Sequence, residues 1–329
     1  MTNIDAPSSA SVLEAYETLK SVVIKTPLLE SPALNEKLGA RLFLKCEMLQ
    51  KTGSFKFRGA YNAISRLTDD QRRRGVFAFS SGNHAQGIAY AAKLLNSQAT
   101  ILMPEDTPEI KLNNTREYGA DVITYDRYRE TREEIGAAIA AEKDLCLIRP
   151  YDNADVISGQ GSVGLEIINQ LTEVGATADL LCAPCGGGGL MSGISLAIAP
   201  QSPQTILHTA EPEFFEDTAR SLSAGHPVSN SGDHRSICDA IVTPTPGNIT
   251  FPVLRQHIKS GLVVSDSETT QAVRTAFEYF KVVIEPGGAV ALAAFLSGKT
   301  DIAGKTVVAV ASGGNVDPAL FSRILAKKI

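Results

Sequence analysis

The sequence lacks several features that would assign it to a specialised class of proteins. Its 329 residues carry a net charge of -5 and contain no basic block, which argues against binding to nucleic acid. No apolar run approaches the ~18 residues that a membrane-spanning helix needs. Residues 1–7 contain neither the basic nor the apolar segment of a signal peptide. We therefore expect a cytoplasmic protein with no nucleic-acid or membrane partner.

Cysteine is also scarce in this chain. The five cysteines are odd in number and widely spaced, which argues against a disulfide framework and for a reducing compartment. Cys182-Ala-Pro-Cys185 has C-x-x-C spacing, but the sequence has no second Cys or His pair at the spacing of a zinc site. We expect Cys182 to be a small core residue at the end of a strand.

The remaining composition is that of a globular protein, with 43% hydrophobic and 20% charged residues. Strand and helix patterns alternate along the chain, which predicts an α/β fold with right-handed crossovers. Runs such as Leu180–Ala183 and Val307–Ala311 are apolar on both faces, as in parallel sheets that are covered on both sides. The predicted strands are 42–46, 75–80, 98–103, 121–125, 145–149, 178–183, 205–210, 261–265 and 305–311.

The length favours two domains at ~150 residues per domain. No Gly/Ser-rich linker divides the chain, so we expect it to cross between the domains more than once. We predict a large domain formed by residues 1–68 and 153–329 and a small domain formed by residues 69–152. An amphipathic helix is predicted at 9–24, and the polar stretch 223–235 is predicted to be a long loop near a site.

The segment Lys51–Ala60 joins a predicted strand to a predicted helix. Gly53 and Ser54 occupy the positions of a turn and an N-cap, which places Lys56 in the first helical turn. The positive end of a helix dipole disfavours a protonated amine there. A neutral amine can act as a nucleophile toward a carbonyl, so Lys56 is a candidate catalytic residue.

A second strand–turn–helix segment is Phe77–Gly87, whose helix is predicted to begin near Asn83. Ser80, Ser81, Asn83 and the free N–H groups of the helix could bind a carboxylate at the end of the strand. The same pattern also fits a simple turn with a serine N-cap. We expect His84 to be a residue of the helix start and not a catalytic base.

Four consecutive glycines, Gly186–Gly189, lie between a buried strand and a helix. Their backbone N–H groups could converge on a phosphate, whereas a structural turn needs only one or two glycines. The stretch fits neither the dinucleotide fingerprint nor the P-loop, which requires Gly-Lys-Ser/Thr. A small phosphorylated cofactor remains as the expected ligand.

Carboxylates and a hydroxyl mark three further predicted turns. Glu211, Glu216 and Asp217 lie at one strand end and Glu285 lies at a turn, where they are either exposed acidic residues or ligands for a hard divalent cation. Ser312 ends the last strand, and its hydroxyl could form one uncharged hydrogen bond with a heterocyclic nitrogen. A reactive lysine together with a glycine-rich phosphate site suggests pyridoxal phosphate.

These segments together resemble the fold-type II pyridoxal-phosphate enzymes, most closely the group of serine/threonine dehydratases and serine racemases. The similar segments are Lys51–Ala60, Ser80–His84, Gly186–Gly189, Glu285–Gly288 and Ser312–Asn315. The resemblance covers nearly the whole chain and implies a tryptophan-synthase-β-like fold. That fold has two open, twisted, mainly parallel sheets with helices on both faces. It also implies pyridoxal 5′-phosphate as the cofactor and a homodimer or homotetramer.

The resemblance further implies roles for individual residues. Lys56 would bind the cofactor covalently and remove the α-proton, and Ser81 would handle a proton on the opposite face. The implied cofactor-binding residues are Phe55, Lys56, Asn83, Gly186, Gly187, Gly188, Gly189, Leu190, Glu285 and Ser312. The implied substrate-binding residues are Ser80, Ser81, Asn83, His84 and Arg132. The implied ligands of a divalent cation such as Mg²⁺ are Glu211, Asp217 and the carbonyl of Phe215.

By this resemblance the chain is expected to be an L-threonine/L-serine ammonia-lyase. Such an enzyme acts on a small hydroxy amino acid and releases 2-oxobutanoate or pyruvate together with ammonia by β-elimination of the hydroxyl. Ser81 supports serine racemase as an alternative, and Arg132 supports a 3-hydroxyaspartate dehydratase. The sequence departs from the racemase-like Asp-Gly pattern at Ala240, whose methyl group should narrow the space beneath the cofactor. Substrate preference therefore stays open.

Overall fold

A computed structural model of the protein describes residues 6–107, 109–126 and 129–329. Strands in this part of the chain form two separate sheets. The strands are β1 (Leu28–Glu30), β2 (Arg41–Cys46), β3 (Val76–Phe79), β4 (Ala99–Pro104), β5 (Asp121–Tyr125), β6 (Cys146–Leu147), β7 (Leu180–Pro184), β8 (Ile206–Pro212), β9 (Ser260–Val264) and β10 (Thr306–Ala311). All nine strands predicted from the sequence are present, and the three-residue β1 was missed.

The larger sheet has six strands in the order β1-β2-β10-β7-β8-β9. Its strands pair in parallel except β1, which pairs antiparallel with β2. The smaller sheet has four parallel strands in the order β5-β4-β3-β6. It lies within the segment 69–152, for which the sequence predicts a small domain. The predicted α/β architecture with two mainly parallel sheets is confirmed.

Helices cover both sheets, and three shorter helical turns accompany them. The helices are α1 (Ser9–Leu19), α2 (Pro32–Leu38), α3 (Lys56–Ser65), α4 (Asp69–Arg74), α5 (Asn83–Leu94), α6 (Glu109–Glu117), α7 (Arg132–Glu142), α8 (Ala154–Glu173), α9 (Gly189–Gln201), α10 (Asp217–Ala224), α11 (Thr250–His257), α12 (Asp266–Thr275), α13 (Pro286–Leu296) and α14 (Pro318–Leu325). The short turns are 3₁₀ at Glu47–Leu49 and Lys51–Gly53 and π-helical at Ala276–Phe280. None of the described helices is both long enough and apolar enough to cross a membrane.

Strand β10 shows how the larger sheet is covered on both faces. Val307 and Ala309 pack into a core cluster that includes α13, whereas Val308 and Val310 pack into another cluster that includes α8 and α9. Successive residues of a strand point to opposite faces, so a strand that is covered on both sides must be apolar throughout. The continuous apolar run therefore predicted its central position correctly.

The first helix is shorter than the sequence suggested. A helix was predicted over 9–24, but α1 ends at Leu19. The following segment leaves the helix because the side chain of Gln50 binds both backbone groups of Ile24, at 3.0 Å from its N–H and 2.7 Å from its carbonyl. This long-range contact has no local signal in the sequence.

A buried network of charged side chains fixes the start of α3. Arg58 donates to Glu47 at 2.8 Å and to Glu166 at 2.7 Å, and Lys45 donates to Glu166 at 2.6 Å. All four side chains are at most 2% exposed, so the two cations and two carboxylates neutralise each other away from bulk solvent. The network ties β2 and α8 to α3 two residues beyond Lys56, and it thereby fixes the position of that lysine.

Candidate active site

A cavity of about 510 Å³ opens where parallel strands of both sheets end. Ligands of open α/β sheets commonly bind outside the carboxyl ends of the strands. The cavity wall is formed by the residues that follow β3, β6, β7 and β10, by the start of α3 and by the long segment between α10 and α11. All predicted cofactor-binding and substrate-binding residues line this cavity except Arg132, which begins α7 and whose side chain lies outside the described part of the structure.

Lys56 is the first residue of α3, as predicted. The N-cap is Phe55 and not Ser54, because the backbone of Ser54 forms a bridge with Gly313 and the N–H of Phe55 donates to the carbonyl of Ser312 at 3.1 Å. Pairing between these two segments therefore sets where the helix starts. It also brings Lys56 and Ser312 to the same wall of the cavity.

The Lys56 amine donates to the carbonyl of Pro150 at 2.8 Å and lies 5.2 Å from the centre of the Phe55 ring. Burial lowers the pKa of Lys56 to about 8, while the carboxylate of Glu285 acts in the opposite direction. Burial disfavours the charged form of an amine because it removes hydrating water. A large fraction of the Lys56 amine is therefore neutral near pH 8. The principal cause is burial, whereas the sequence suggested that the helix dipole lowers the pKa.

The glycine stretch forms a narrow turn between β7 and α9. A Cβ at Gly187 would lie 2.3 Å from the Tyr151 ring, and a Cβ at Gly189 would lie 3.0 Å from the backbone of Tyr151. Gly188 has a φ of +93°, which favours glycine. The first N–H groups of α9 have no partner within the helix and point toward the end of β7. This arrangement fits an anionic group such as a phosphate, which binds at helix N-termini without a cation.

Asn83 and Glu285 form a hydrogen-bonded chain beside the cavity. Asn83 donates to Glu285 at 2.6 Å and accepts from Asn315 at 2.8 Å, and Asn315 also donates to the carbonyl of Thr52 at 2.8 Å. Burial raises the pKa of Glu285 to about 7, although the donor from Asn83 acts in the opposite direction. One amide proton of Asn83 is left for a ligand oxygen, because the NH₂ group has two donors.

The turn after β3 places the predicted carboxylate-binding residues at the start of α5. The helix begins at Asn83 with Gly82 as its N-cap and without a side-chain cap, so the alternative of a serine N-cap is wrong. His84 is 2% exposed, and its Nε2 lies 3.0 Å from the carbonyl of Ile148. Burial, reinforced by the nearby Lys56 charge, lowers the pKa of His84 to about 3. The imidazole is therefore neutral and donates through Nε2. Its unprotonated Nδ1 accepts no hydrogen bond from the residues described in the structure.

Several cavity residues were missed in the sequence. The long polar loop was predicted at 223–235, but the segment without helix or strand extends from Gly225 to Ile249, and residues 239–248 of it line the cavity. Lys111 of α6 forms an ion pair with Asp239 of this segment at 2.8 Å. Arg149 lies two residues beyond β6 and is the last residue of the strand predicted at 145–149, so its position at a strand end was the available signal. Ala240 also lines the cavity, with its Cβ 3.3 Å from the position of a Cβ at Gly287.

The predicted cation ligands lie outside this cavity, at the end of β8. Glu211 is buried and accepts from the backbone N–H groups of Thr218 and Ala219, each at 2.8 Å. Burial raises the pKa of Asp217 to about 7, although a hydrogen bond from Asn230 acts in the opposite direction. Within the described ranges no group of three or more His, Cys, Asp or Glu side chains is arranged to hold a metal ion. Any site there would rest on two carboxylates and backbone oxygen.

The fold and the cavity agree with comparisons to known proteins. The family model described as "Pyridoxal-phosphate dependent enzyme" matches residues 19–313. The chain therefore belongs to the family of pyridoxal-phosphate-dependent enzymes. This family membership confirms the resemblance stated from the sequence, and the glycine turn, Lys56 and Ser312 around one cavity fit its cofactor.

The relatives are ammonia-lyases and racemases. The chain is 43% identical to L-threo-3-hydroxyaspartate ammonia-lyase of Saccharomyces cerevisiae, over 98% of this chain and 97% of that protein. It is 44% identical to L-threo-3-hydroxyaspartate ammonia-lyase of Pseudomonas sp., over 95% of this chain and 97% of that protein. It is 39% identical to the serine racemase of Schizosaccharomyces pombe, over 99% of both. Among solved structures, a threonine deaminase from T.th. matches with a TM-score of 0.88 and 41% identity, over 94% of this chain and 99% of that one.

Proposed function

We propose that this protein is an L-threo-3-hydroxyaspartate ammonia-lyase. The observation that carries the proposal is the similarity to two enzymes of this activity, at 43% and 44% identity over nearly their full lengths. The sequence alone favoured threonine or serine as the substrate and kept hydroxyaspartate as an alternative. The relatives support the alternative over that first choice. The reaction would convert the substrate to oxaloacetate and ammonia, with loss and later uptake of one water.

Pyridoxal phosphate, when bound, supplies an electron sink that weakens the bond between the α-carbon of an amino acid and its proton. The chain's own contribution begins with Lys56, which we propose removes that proton. An efficient general base has a pKa near the working pH, and a value of about 8 meets this condition. The carbonyl of Pro150 orients the amine in the cavity.

We propose that the turn after β3 binds the α-carboxylate of the substrate. Ser80, Ser81 and the N-terminal N–H groups of α5 supply donors without a full positive charge. His84 stays neutral and buried, which suits a positioning residue and not an acid or base. Asn83 is held by Glu285 and Asn315, so it can present its remaining amide proton in one direction.

Serine racemase is the second candidate function. Ser81 supports it, because Ser81 lines the same cavity as Lys56 and could return a proton on the face opposite the lysine. The relative from Schizosaccharomyces pombe, a serine racemase at 39% identity, also supports it. The two candidates share the proton removal by Lys56 and differ in the next step, which is loss of the hydroxyl in the lyase and return of a proton in the racemase.

We also propose that a divalent cation binds at Glu211, the carbonyl of Phe215 and Asp217. The support is chemical: Asp217 Oδ2 and the neighbouring Glu216 Oε2 are buried and accept no hydrogen bond from any residue that the structure describes. Such oxygens are suitable ligands for Mg²⁺ with water completing the shell. We expect Mg²⁺ to raise the melting temperature of the holoenzyme at pH 8. The gain should shrink below pH 7, where Asp217 binds a proton, and Asp217→Asn should abolish it. A gain that persists unchanged in Asp217→Asn would contradict this site.

The activity is tested by incubating the holoenzyme with L-threo-3-hydroxyaspartate, L-serine and L-threonine. We expect ammonia and oxaloacetate from hydroxyaspartate with the highest kcat/KM of the three. A D-serine assay on the L-serine reaction measures racemisation in parallel. Activity confined to L-serine or L-threonine, with none on hydroxyaspartate, would contradict the proposal, and D-serine as the main product would support the racemase.

A further inference from the structure

Arg149 occupies a defined place in the wall of the active-site cavity. It lies between Ile148, whose carbonyl contacts His84, and Pro150, whose carbonyl accepts from Lys56. Ile148 is buried in the core of the smaller sheet, whereas Arg149 is exposed and lines the cavity. The segment after β6 thus fixes its backbone through two contacts with the site and presents a guanidinium beside it.

The guanidinium of Arg149 is a charged group of the cavity wall. In the part of the chain that the structure describes, no carboxylate forms an ion pair with Arg149. The acidic cavity residues have other contacts: Asp239 binds Lys111 at 2.8 Å, Asp152 accepts from the N–H of Ile249 at 2.6 Å, and Glu285 accepts from Asn83. Arg149 is therefore a cation of the cavity wall that no described carboxylate neutralises.

We infer that Arg149 binds the side-chain carboxylate of a dicarboxylic hydroxy amino acid and so determines substrate specificity. This inference rests on the proposed function, because 3-hydroxyaspartate carries a second carboxylate and serine and threonine do not. A guanidinium suits this task, since its planar N–H groups match both oxygens of a carboxylate. Lys111, which lines the wall together with Lys56 and Arg149, is already paired with Asp239 and has less to offer a second anion.

The first test compares substrates in Arg149→Gln and Arg149→Lys. The quantity measured is the ratio of kcat/KM for L-threo-3-hydroxyaspartate to kcat/KM for L-serine in the holoenzyme. We expect the ratio to fall by about 10- to 100-fold in Arg149→Gln, the usual effect of losing a charged hydrogen bond. The ratio should fall less in Arg149→Lys, because lysine keeps the charge although it loses the bidentate geometry. The matched control is Arg255→Gln, an exposed arginine of α11 outside the cavity, which should leave the ratio unchanged.

The second test measures binding without turnover. Succinate and propionate differ by one carboxylate, and neither has the amino group that the reaction needs. Calorimetry on the holoenzyme should show that Arg149→Gln lowers the affinity for succinate by roughly 10-fold or more and lowers the affinity for propionate far less. The ratio of the two dissociation constants reports the second carboxylate alone.

The outcomes separate this inference from the proposed function. If the unchanged protein does not turn over hydroxyaspartate, the proposed function fails, and the binding of succinate still tests Arg149. If hydroxyaspartate is a substrate but Arg149→Gln leaves both ratios unchanged, the inference is wrong. An equal fall in kcat/KM for hydroxyaspartate and serine would also overturn the inference, because Arg149 would then maintain the site without contacting the substrate side chain.

Discussion

Replacing Gly187 with alanine tests the phosphate site most sharply. The added Cβ would lie 2.3 Å from two ring carbons of Tyr151, whereas unstrained carbon atoms sit about 3.5–4.0 Å apart. The ring or the glycine turn must therefore move by more than about 1 Å. Overpacking of this kind usually costs about 1–3 kcal/mol. If that cost falls on the bound state, the affinity for pyridoxal phosphate falls about 5- to 150-fold.

The assay is a spectral titration of the apoenzyme with pyridoxal phosphate, with urea unfolding of the apoenzyme to detect any loss of stability. Gly186→Ala is the milder change in the same turn, since its Cβ would meet its nearest atoms at 3.3 Å and needs a shift of only a few tenths of an ångström, so it should lower the affinity less than Gly187→Ala. Tyr151→Ala removes the ring with which the new Cβ clashes. The loss of affinity that Gly187→Ala causes should therefore be smaller when it is measured against Tyr151→Ala than when it is measured against the unchanged protein. Cofactor affinity in Gly187→Ala equal to that of the unchanged protein would refute the reasoning.

Two further predictions concern stability. The pKa of His84 is about 3 in the folded protein, below its ordinary value of 6.5, so the unfolded state binds more protons below pH 6.5. Stability of the apoenzyme should therefore fall as the pH drops from 6.5 toward 3, with a contribution from His84 of up to about 1.4 kcal/mol per pH unit. Urea unfolding at pH 7 and pH 5 should show that the free energy of unfolding falls less with pH in His84→Gln than in the unchanged protein. An identical fall in both proteins would contradict the burial argument. Arg58→Met leaves two buried carboxylates with a single cation and should lower the free energy of unfolding by about 3–5 kcal/mol. The exposed Arg73→Gln, which breaks a surface pair, should cost at most about 1 kcal/mol, and similar losses in both variants would contradict the account of the buried network.

Local sequence patterns predicted the elements of the fold well where burial and periodicity act together. The apolar run of β10 indicated a strand covered on both faces, and the glycines before α9 indicated a turn with free N–H groups. Both signals are local, because each depends on residues that are neighbours in the chain. The same holds for Lys56, whose place at a helix start follows from the strand and turn before it.

The features that the sequence did not reveal depend on contacts between distant residues. α1 ends early because Gln50 binds Ile24, and α3 begins after Phe55 because Ser54 pairs with Gly313. Arg149 was passed over for a similar reason. An arginine at the end of a predicted strand is common at a protein surface, and only the assembled cavity shows that this one lines the site with no acidic partner among the described residues.

The covalent attachment of pyridoxal phosphate to Lys56 is the central claim, and it can be measured directly. The purified holoenzyme is reduced with borohydride, digested, and its peptides are mapped by mass spectrometry. We expect one stoichiometric pyridoxyl label on the peptide that contains Lys56, and no label in Lys56→Ala. A label on another lysine, or an unlabelled Lys56 in protein that carries the cofactor, would contradict the account.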